Sequence, residues 1–263
     1  MGRGRLTDEE LMLRAELSPG CIWERSDVSS RAYEGLEPRS GLIWGELPPE
    51  LRATERGVTF AVDVAGGQKT GFFLDQREAR SAVRRLAKGR RALDCFCYSG
   101  GFSVNAAVGG AADVVGVDQS QEACDAASRN AALNGVEGRC RFVAANAFDY
   151  LSDAVHRKER FDMVVLDPPA FTRSRASVAS ALRGYKEINL RAMKLLSPGG
   201  VLVTCSCSHH ISPDVFEGVV AGAAVDARRE VRLLARLGQP VDHPALLNVP
   251  ETSYLKVLIL EAA

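Results

Sequence analysis

No stretch of this chain is long and apolar enough to cross a bilayer, and Met1–Glu10 holds no signal-peptide core. Leu6 stands where a myristoylation signal after Gly2 wants Ser or Thr. Net charge is also missing: 33 basic residues offset 33 acidic ones, so no whole-molecule field draws the chain onto nucleic acid or membrane. Any polyanion contact must come from a local patch. No Gly-Lys-Ser/Thr loop and no Ser-His-Asp order occur, which argues against P-loop phosphoryl transfer and triad hydrolysis. No repeat or low-complexity tract is evident. Cysteine is present at seven, an odd number, mostly within apolar runs and without Cys-x-x-Cys knuckles. The expected state is reduced thiols in a cytoplasmic protein, with no membrane contact and no metal site.

What is there begins with residues 92–118, ALDCFCYSGGFSVNAAVGGAADVVGVD. The apolar run Ala92–Tyr98 breaks at Ser99-Gly100-Gly101 into a helical segment, Phe102–Ala107. A second run, Asp113–Val117, ends on Asp118. Strand, glycine turn, helix, strand and acid form the first half of a nucleotide-binding α/β unit. An acid at the second strand's tip is placed to bind the two hydroxyls of a ribose. The turn is not G-x-G-x-x-G, which weakens a dinucleotide reading. Asp94 at its start, with no phosphate cradle, suits adenosine without a pyrophosphate, and S-adenosylmethionine is such a ligand. The competing reading is a glycine-rich turn with no ligand.

In chain order, Leu6–Ser18 is helix-compatible. Cys21–Asp63 reads as a small antiparallel β module punctuated by glycine and proline. Gly66–Arg77, GGQKTGFFLDQR, is a loop carrying Lys69, Phe72, Asp75 and Arg77. Asp75 is a candidate N-cap for a helix over Gln76–Lys88. From Ala92 strands and helices alternate, giving seven strands in an α/β fold, the last two close enough in sequence to pair antiparallel. The expected domains are a β-rich module with its connecting loop over residues 1–75 and a larger one over 76–263. Ligands of such a sheet gather at the strand tips, here Asp94–Gly101, Asp118, Asn146, Asp167-Pro168-Pro169 and Cys205–His210.

Those tips, LDCFCYSGGFS, GVDQS, LDPPAF and SCS, with the preceding GQKTGFFLDQR loop, resemble the class I S-adenosylmethionine-dependent RNA methyltransferases. The nearest resemblance is to the family that methylates cytosine C5 in 23S ribosomal RNA. It runs from about Cys21 through DHPALLNVPETSYLKV. LDPPAF alone is weakly specific, but joined to RGYKEINLRAMKLLSPGG and SCS it is strong. The resemblance implies a Rossmann-like seven-stranded class I methyltransferase sheet with a small N-terminal β-rich module. Members of that family usually carry an RNA-binding PUA domain ahead of this module, and such a domain is not expected here.

The resemblance also implies roles. Asp94, Phe96, Tyr98 and Gly100 match the motif around the methionine part of the cofactor, and Asp118 matches the ribose-binding acid. Asn146, with Ala147 and Phe148, matches the motif that meets the adenine edge, although an acid is common at that first position. Lys69, Phe72, Asp75 and Arg77 are candidates for the cofactor carboxylate and for closing the site. Cys207 matches the family nucleophile. A thiolate adding to cytosine C6 activates C5, a poor nucleophile by itself. Asp167 would bond N3 or the exocyclic amine and also border the cofactor. Cys205 is expected to pack behind. For RNA, two basic groups offer themselves: Arg173, Arg175, Arg183, Lys186 and Arg191, and Arg84, Arg85, Lys88, Arg90 and Arg91. The alternatives are an N-methylating enzyme acting on guanine or adenine, and a non-catalytic cofactor- or RNA-binding protein. A homodimer is left open.

Overall fold

The computed structural model describes residues 7–27, 29–67, 71–172 and 175–263. Within it the chain divides into two units, Met1–Ala53 with Ala61–Phe73, and Thr54–Phe60 with Leu74–Ala263.

In the first unit, α1 (Asp8–Leu17) leaves Leu11, Leu13 and Leu17 exposed, so it buries no apolar stripe through them. Strand β1 (Cys21–Ser26) pairs antiparallel with β2 (Arg39–Gly45), with a bulge between Ile22 and Trp23. The Arg14 guanidinium lies 3.3 Å from the centre of the Trp44 ring. Strands β3 (Leu51–Glu55) and β4 (Val58–Val62) form a second two-stranded ribbon. Arg56 and Gly57 turn it with φ of 49° and 81°, the doubly left-handed backbone that suits a tight hairpin. The one module expected over Cys21–Asp63 is therefore two separate ribbons, and the tip of the second, Thr54–Phe60, belongs to the second unit. Pro48 and Pro49 lie between the ribbons and have no N–H with which to extend a ladder.

The second unit realises the alternation read from Ala92 onward. After α2 (Arg77–Leu86) come β5 (Arg91–Cys95), α3 (Gly101–Val108), β6 (Asp113–Asp118), α4 (Gln121–Leu133), β7 (Cys140–Ala144) and α5 (Ala147–His156). Then follow β8 (Phe161–Leu166), α6 (Val178–Leu195), β9 (Leu196–Ser206), α7 (Pro213–Ala227), β10 (Val231–Leu237) and β11 (Lys256–Ala262). The sheet order is β10-β11-β9-β8-β5-β6-β7. Five strands run parallel; β11 is antiparallel to β9, and β10 to β11. This is an α/β, Rossmann-like seven-stranded sheet.

Alternate residues of each strand face opposite cores, which is why the central strands read as unbroken apolar runs. Leu93, Val115, Val164 and Leu202 pack with Leu151, Tyr185, Ile188 and Phe216 from α5, α6 and α7. Ala92, Val114, Val165 and Val203 pack with Ala82, Val83, Phe102 and Ala106 from α2 and α3. Two layers of helices thus exclude water from both faces and leave the strand tips as the accessible edge. Among the described residues no helix is long and apolar enough to cross a membrane.

Asp75 is not the cap of α2. The helix starts one residue later than expected, Gln76 stands at the N-cap without a side-chain cap bond, and Asp75 is turned into the protein.

Candidate active site

The tip of β5 carries the first buried charge. Asp94 is almost fully buried, and its Oδ2 accepts hydrogen bonds from the Ser103 N–H (2.9 Å) and hydroxyl (2.6 Å). This ties the strand to the first turn of α3. Between them the backbone is unusual: Phe96, Tyr98 and Gly100 have φ of 65°, 47° and 79°. Left-handed backbone at two bulky residues costs about 1–3 kcal/mol each. The turn is fixed from three sides. The Cys97 N–H donates to the Val117 carbonyl, the Tyr98 N–H to Asp118 Oδ2, and the Asn130 amide of α4 to the Ser99 carbonyl. A Cβ at Gly100 would lie 2.9 Å from that of Ala127, so only glycine brings the turn this close to α4.

Asp118 closes β6. Its Oδ2 accepts from Tyr98 at 2.9 Å and its Oδ1 from the Ser120 N–H at 3.0 Å. At the tip of β7, Asn146 is the exposed N-cap of α5, its Oδ1 accepting from the Phe148 N–H at 2.8 Å. Ala147 behind it is buried. The amide oxygen therefore serves the helix and the NH2 remains as a donor.

Asp167 follows β8. Its N–H reaches the Cys95 carbonyl at 3.4 Å, and its Oδ1 accepts from the Gln76 amide at 2.7 Å. The Cys205 thiol lies beside this carboxylate. Cys205 is fully buried in the core on the α2 side, and burial pushes its thiol well above the ordinary range. Cys207 lies one residue beyond β9, half-buried, with Sγ 4.0 Å from the Pro168 carbonyl. Of the two thiols, then, one is locked in the protonated form and the other stands at the edge next to the Asp-Pro-Pro turn. Cys95 packs against the opposite face of the sheet from Cys205, so these two strand thiols do not converge.

Burial, opposed by the bonds from Ser103, pushes the Asp94 carboxyl up to about 7. Burial and the neighbouring Asp75 likewise hold Asp167 up at about 7, against the pull of Arg80 and the Gln76 bond. Asp75 itself accepts the Tyr254 hydroxyl at 2.7 Å. Four carboxylates thus border one sheet edge, two of them poised to change charge near neutrality.

The model of the S-adenosylmethionine-dependent methyltransferase family matches residues 36–261, most of the chain. The chain belongs to that family. Two relatives are named "Ribosomal RNA large subunit methyltransferase I". The one from Tolumonas auensis is 48% identical over 94% of this chain and 63% of its own length. The one from Klebsiella pneumoniae is 46% identical over 91% of this chain and 61% of its own length. The chain thus spans less than two thirds of the relatives it matches. A solved methyltransferase complexed with SAH is 25% identical, with a TM-score of 0.77 over 84% of this chain and 58% of that one.

The cofactor of this methyltransferase family carries a cationic sulfonium and an ammonium group, and the site suits such charges. Asp94 Oδ1 is buried with no hydrogen-bond partner among the described residues, an acceptor awaiting a donor. The penalty that raises Asp94 and Asp167 is removed when a cation sits beside them.

Three further anticipated residues precede or open α2. Lys69 lies outside the described residues. Phe72 is buried and belongs to the first unit. Arg77 forms a bidentate pair with Asp242 at 2.6 and 3.1 Å. Several members of the two basic groups are engaged within the fold. Arg90 donates to the Asp162 and Gly199 carbonyls, and Arg91 pairs with Asp113 and Glu159 at the far ends of the strands, away from the tips. Lys186 pairs with Asp226 and Arg191 with Glu187. Arg173 lies outside the described residues.

Gln76, Asn130, Phe171 and Lys256 escaped the sequence reading. Phe171, within LDPPAF, meets Phe148 at 5.8 Å and Phe96 at 6.3 Å between ring centres, an aromatic wall along the same edge. Its place directly after Asp-Pro-Pro was the available signal. A buried amide inside an alanine-rich helix, as at Asn130, was the signal for the turn's anchor.

Proposed function

We propose that this chain transfers a methyl group from S-adenosylmethionine to C5 of a cytosine in RNA, in large-subunit ribosomal RNA, through a Cys207 adduct. The observation that carries the reading is the pairing of Asp167 and Cys207 at the tips of two adjacent parallel strands, beside the acid-lined turn after β5. The relatives' names supply the RNA class.

The residue roles follow from placement. Asp94, with the Phe96–Gly100 turn, holds the methionine end of the cofactor. Asp118 accepts the ribose hydroxyls on the lone pairs left free by its two backbone donors. The Asn146 NH2 and the Ala147 backbone meet the adenine. Asp75, whose charge acts on Asp167, borders the same edge. When bound, the cofactor supplies an electrophilic methyl group on a cationic sulfur, to be taken by the activated C5. The Cys207 thiolate attacks C6 of the flipped-out base, and the electron pair of the C5–C6 double bond moves towards C5 and N3. Asp167 hydrogen-bonds N3 or the exocyclic amine as charge builds there. Once C5 is methylated, loss of its proton re-forms the double bond and expels the thiolate. On this account residues 76–263 form the catalytic domain, and residues 1–75 a small β-rich module with its connecting loop.

The test is incubation with labelled S-adenosylmethionine and protein-free large-subunit ribosomal RNA, followed by nucleoside analysis. Label in 5-methylcytidine supports the proposal. Label in an N-methylated purine, or cofactor binding without transfer, overturns it.

A further inference from the structure

Lys256 is a buried ammonium without a carboxylate. It starts β11, directly opposite Ser206 in the ladder with β9, and is 6% exposed. Its Nζ donates to the Ser208 carbonyl at 2.7 Å and the Tyr254 carbonyl at 2.8 Å. Both bonds hold it at the loop that leaves β9, on either side of which no acidic side chain among the described residues reaches it. The Ser208 carbonyl that it binds is one residue along from Cys207, a thiol whose ionised form would favour the protonated lysine. Burial draws the lysine down to about 8, the cost of a cation in this setting.

The other titratable neighbours supply no counter-charge of their own. Tyr254, before β11, and Tyr185 of α6 both feel Cys207, and burial keeps each hydroxyl in the neutral form. Cys205 of β9 is held protonated by burial and touches Asp167, and Tyr254 is bonded to Asp75. His209 stacks on Tyr254 at 5.5 Å with its Nδ1 at the Glu251 carbonyl.

We infer that Lys256 is the positioning residue that keeps Cys207 as a thiolate, serving as its buried counter-charge. The bonds to the Ser208 and Tyr254 carbonyls fix where the ammonium sits, one residue beyond the thiol in sequence and across the ladder from it. The inference rests on the reading of Cys207 as the nucleophile.

Iodoacetamide alkylation of Cys207, followed by peptide mass spectrometry from about pH 6 to about pH 10, reads the thiolate directly. The wild-type midpoint is expected below the ordinary thiol value of about 8.5. In Lys256→Met it should move up by about one unit or more, slowing alkylation near neutrality about tenfold, while Lys256→Arg stays close to wild type. Cofactor affinity, measured alongside, reports whether each variant is folded. A wild-type midpoint at or above that of a free thiol overturns the inference without any variant, as does an unchanged midpoint in folded Lys256→Met. The two failures are separable: methyl transfer retained by Cys207→Ala defeats the nucleophile reading, whereas a Lys256-independent thiol defeats only this inference.

Discussion

The backbone N–H of Tyr98 donates to Oδ2 of Asp118 at 2.9 Å, so the turn that leaves β5 grips the acid at the end of β6. The bond ties the left-handed backbone at Tyr98, φ 47°, to the carboxylate proposed to meet the ribose. Asp118→Asn keeps one acceptor and removes the charge. Cofactor affinity should fall about tenfold or more, with little change in thermal midpoint, since a charge-assisted bond is worth about 1.5–3 kcal/mol. Calorimetric titration with S-adenosylhomocysteine reads this, and unchanged affinity would remove Asp118 from the site.

Gly100→Ala tests the turn. The new Cβ meets Ala127 at 2.9 Å with φ at 79°, so destabilisation of about 1–3 kcal/mol is expected by denaturant unfolding, together with weaker cofactor binding. A neutral effect on both would show that the turn can relax.

The buried pair Arg80–Glu55 makes two bonds, at 2.8 and 2.5 Å, and both side chains are hidden. Arg80→Leu leaves a buried carboxylate and should cost about 3–5 kcal/mol. Changing Glu55→Leu as well should recover much of the loss, because the cost lies in the unpaired charge rather than in the missing bond. Equal stability of the single and double variants would contradict this.

Acid should tighten the ligand-free fold and weaken cofactor binding. Asp94 and Asp167 titrate at about 7 instead of 3.8 because burial disfavours their charged forms. Between about pH 4 and pH 7 the folded protein therefore holds protons that the unfolded chain has released, and stability falls as pH rises through that window. A cationic ligand prefers the ionised carboxylates, so affinity should rise across pH 7. Unfolding curves with and without S-adenosylmethionine give both trends, and a flat ligand-free profile from about pH 5 to about pH 8 would count against the two shifts.

Much of this edge was legible because strands buried on both faces are written as apolar runs ending at a polar residue. Phe161–Leu166 ending at Asp167 is one case, and Asp113–Val117 ending at Asp118 is another. Glycine and asparagine stops placed the helix ends equally well, as at Asn134 after α4. What the pattern did not carry is the use made of polar side chains. Asp75 has the composition of a helix cap, yet tertiary packing turns it to Tyr254 and leaves Gln76 at the cap. Arg90 and Arg91 look like a basic patch in sequence but lie at the wrong end of their strand and serve the fold. Lys256 sits inside an apolar run, and nothing local says that its ammonium is bonded to the Ser208 carbonyl. Such partners are separated by up to 179 residues, as Asp75 and Tyr254 are, and only the sheet order joins them.

Replacing Cys207 with Ala should abolish transfer to cytosine while leaving cofactor affinity within about twofold, since the thiol sits outside the carboxylate-lined turn. Loss of both together would instead mark Cys207 as structural.

The nucleophile is tested most directly with RNA carrying 5-fluorocytidine. Fluorine at C5 cannot leave as the proton does, so the C6–Sγ bond cannot be undone after methylation. The account predicts a denaturation-resistant complex, formed only with S-adenosylmethionine present, in which peptide mapping finds the nucleotide on Cys207. It also predicts no complex with Cys207→Ala. Efficient methylation of ordinary RNA by the wild-type protein, with no such complex or with the nucleotide on another residue, would contradict it.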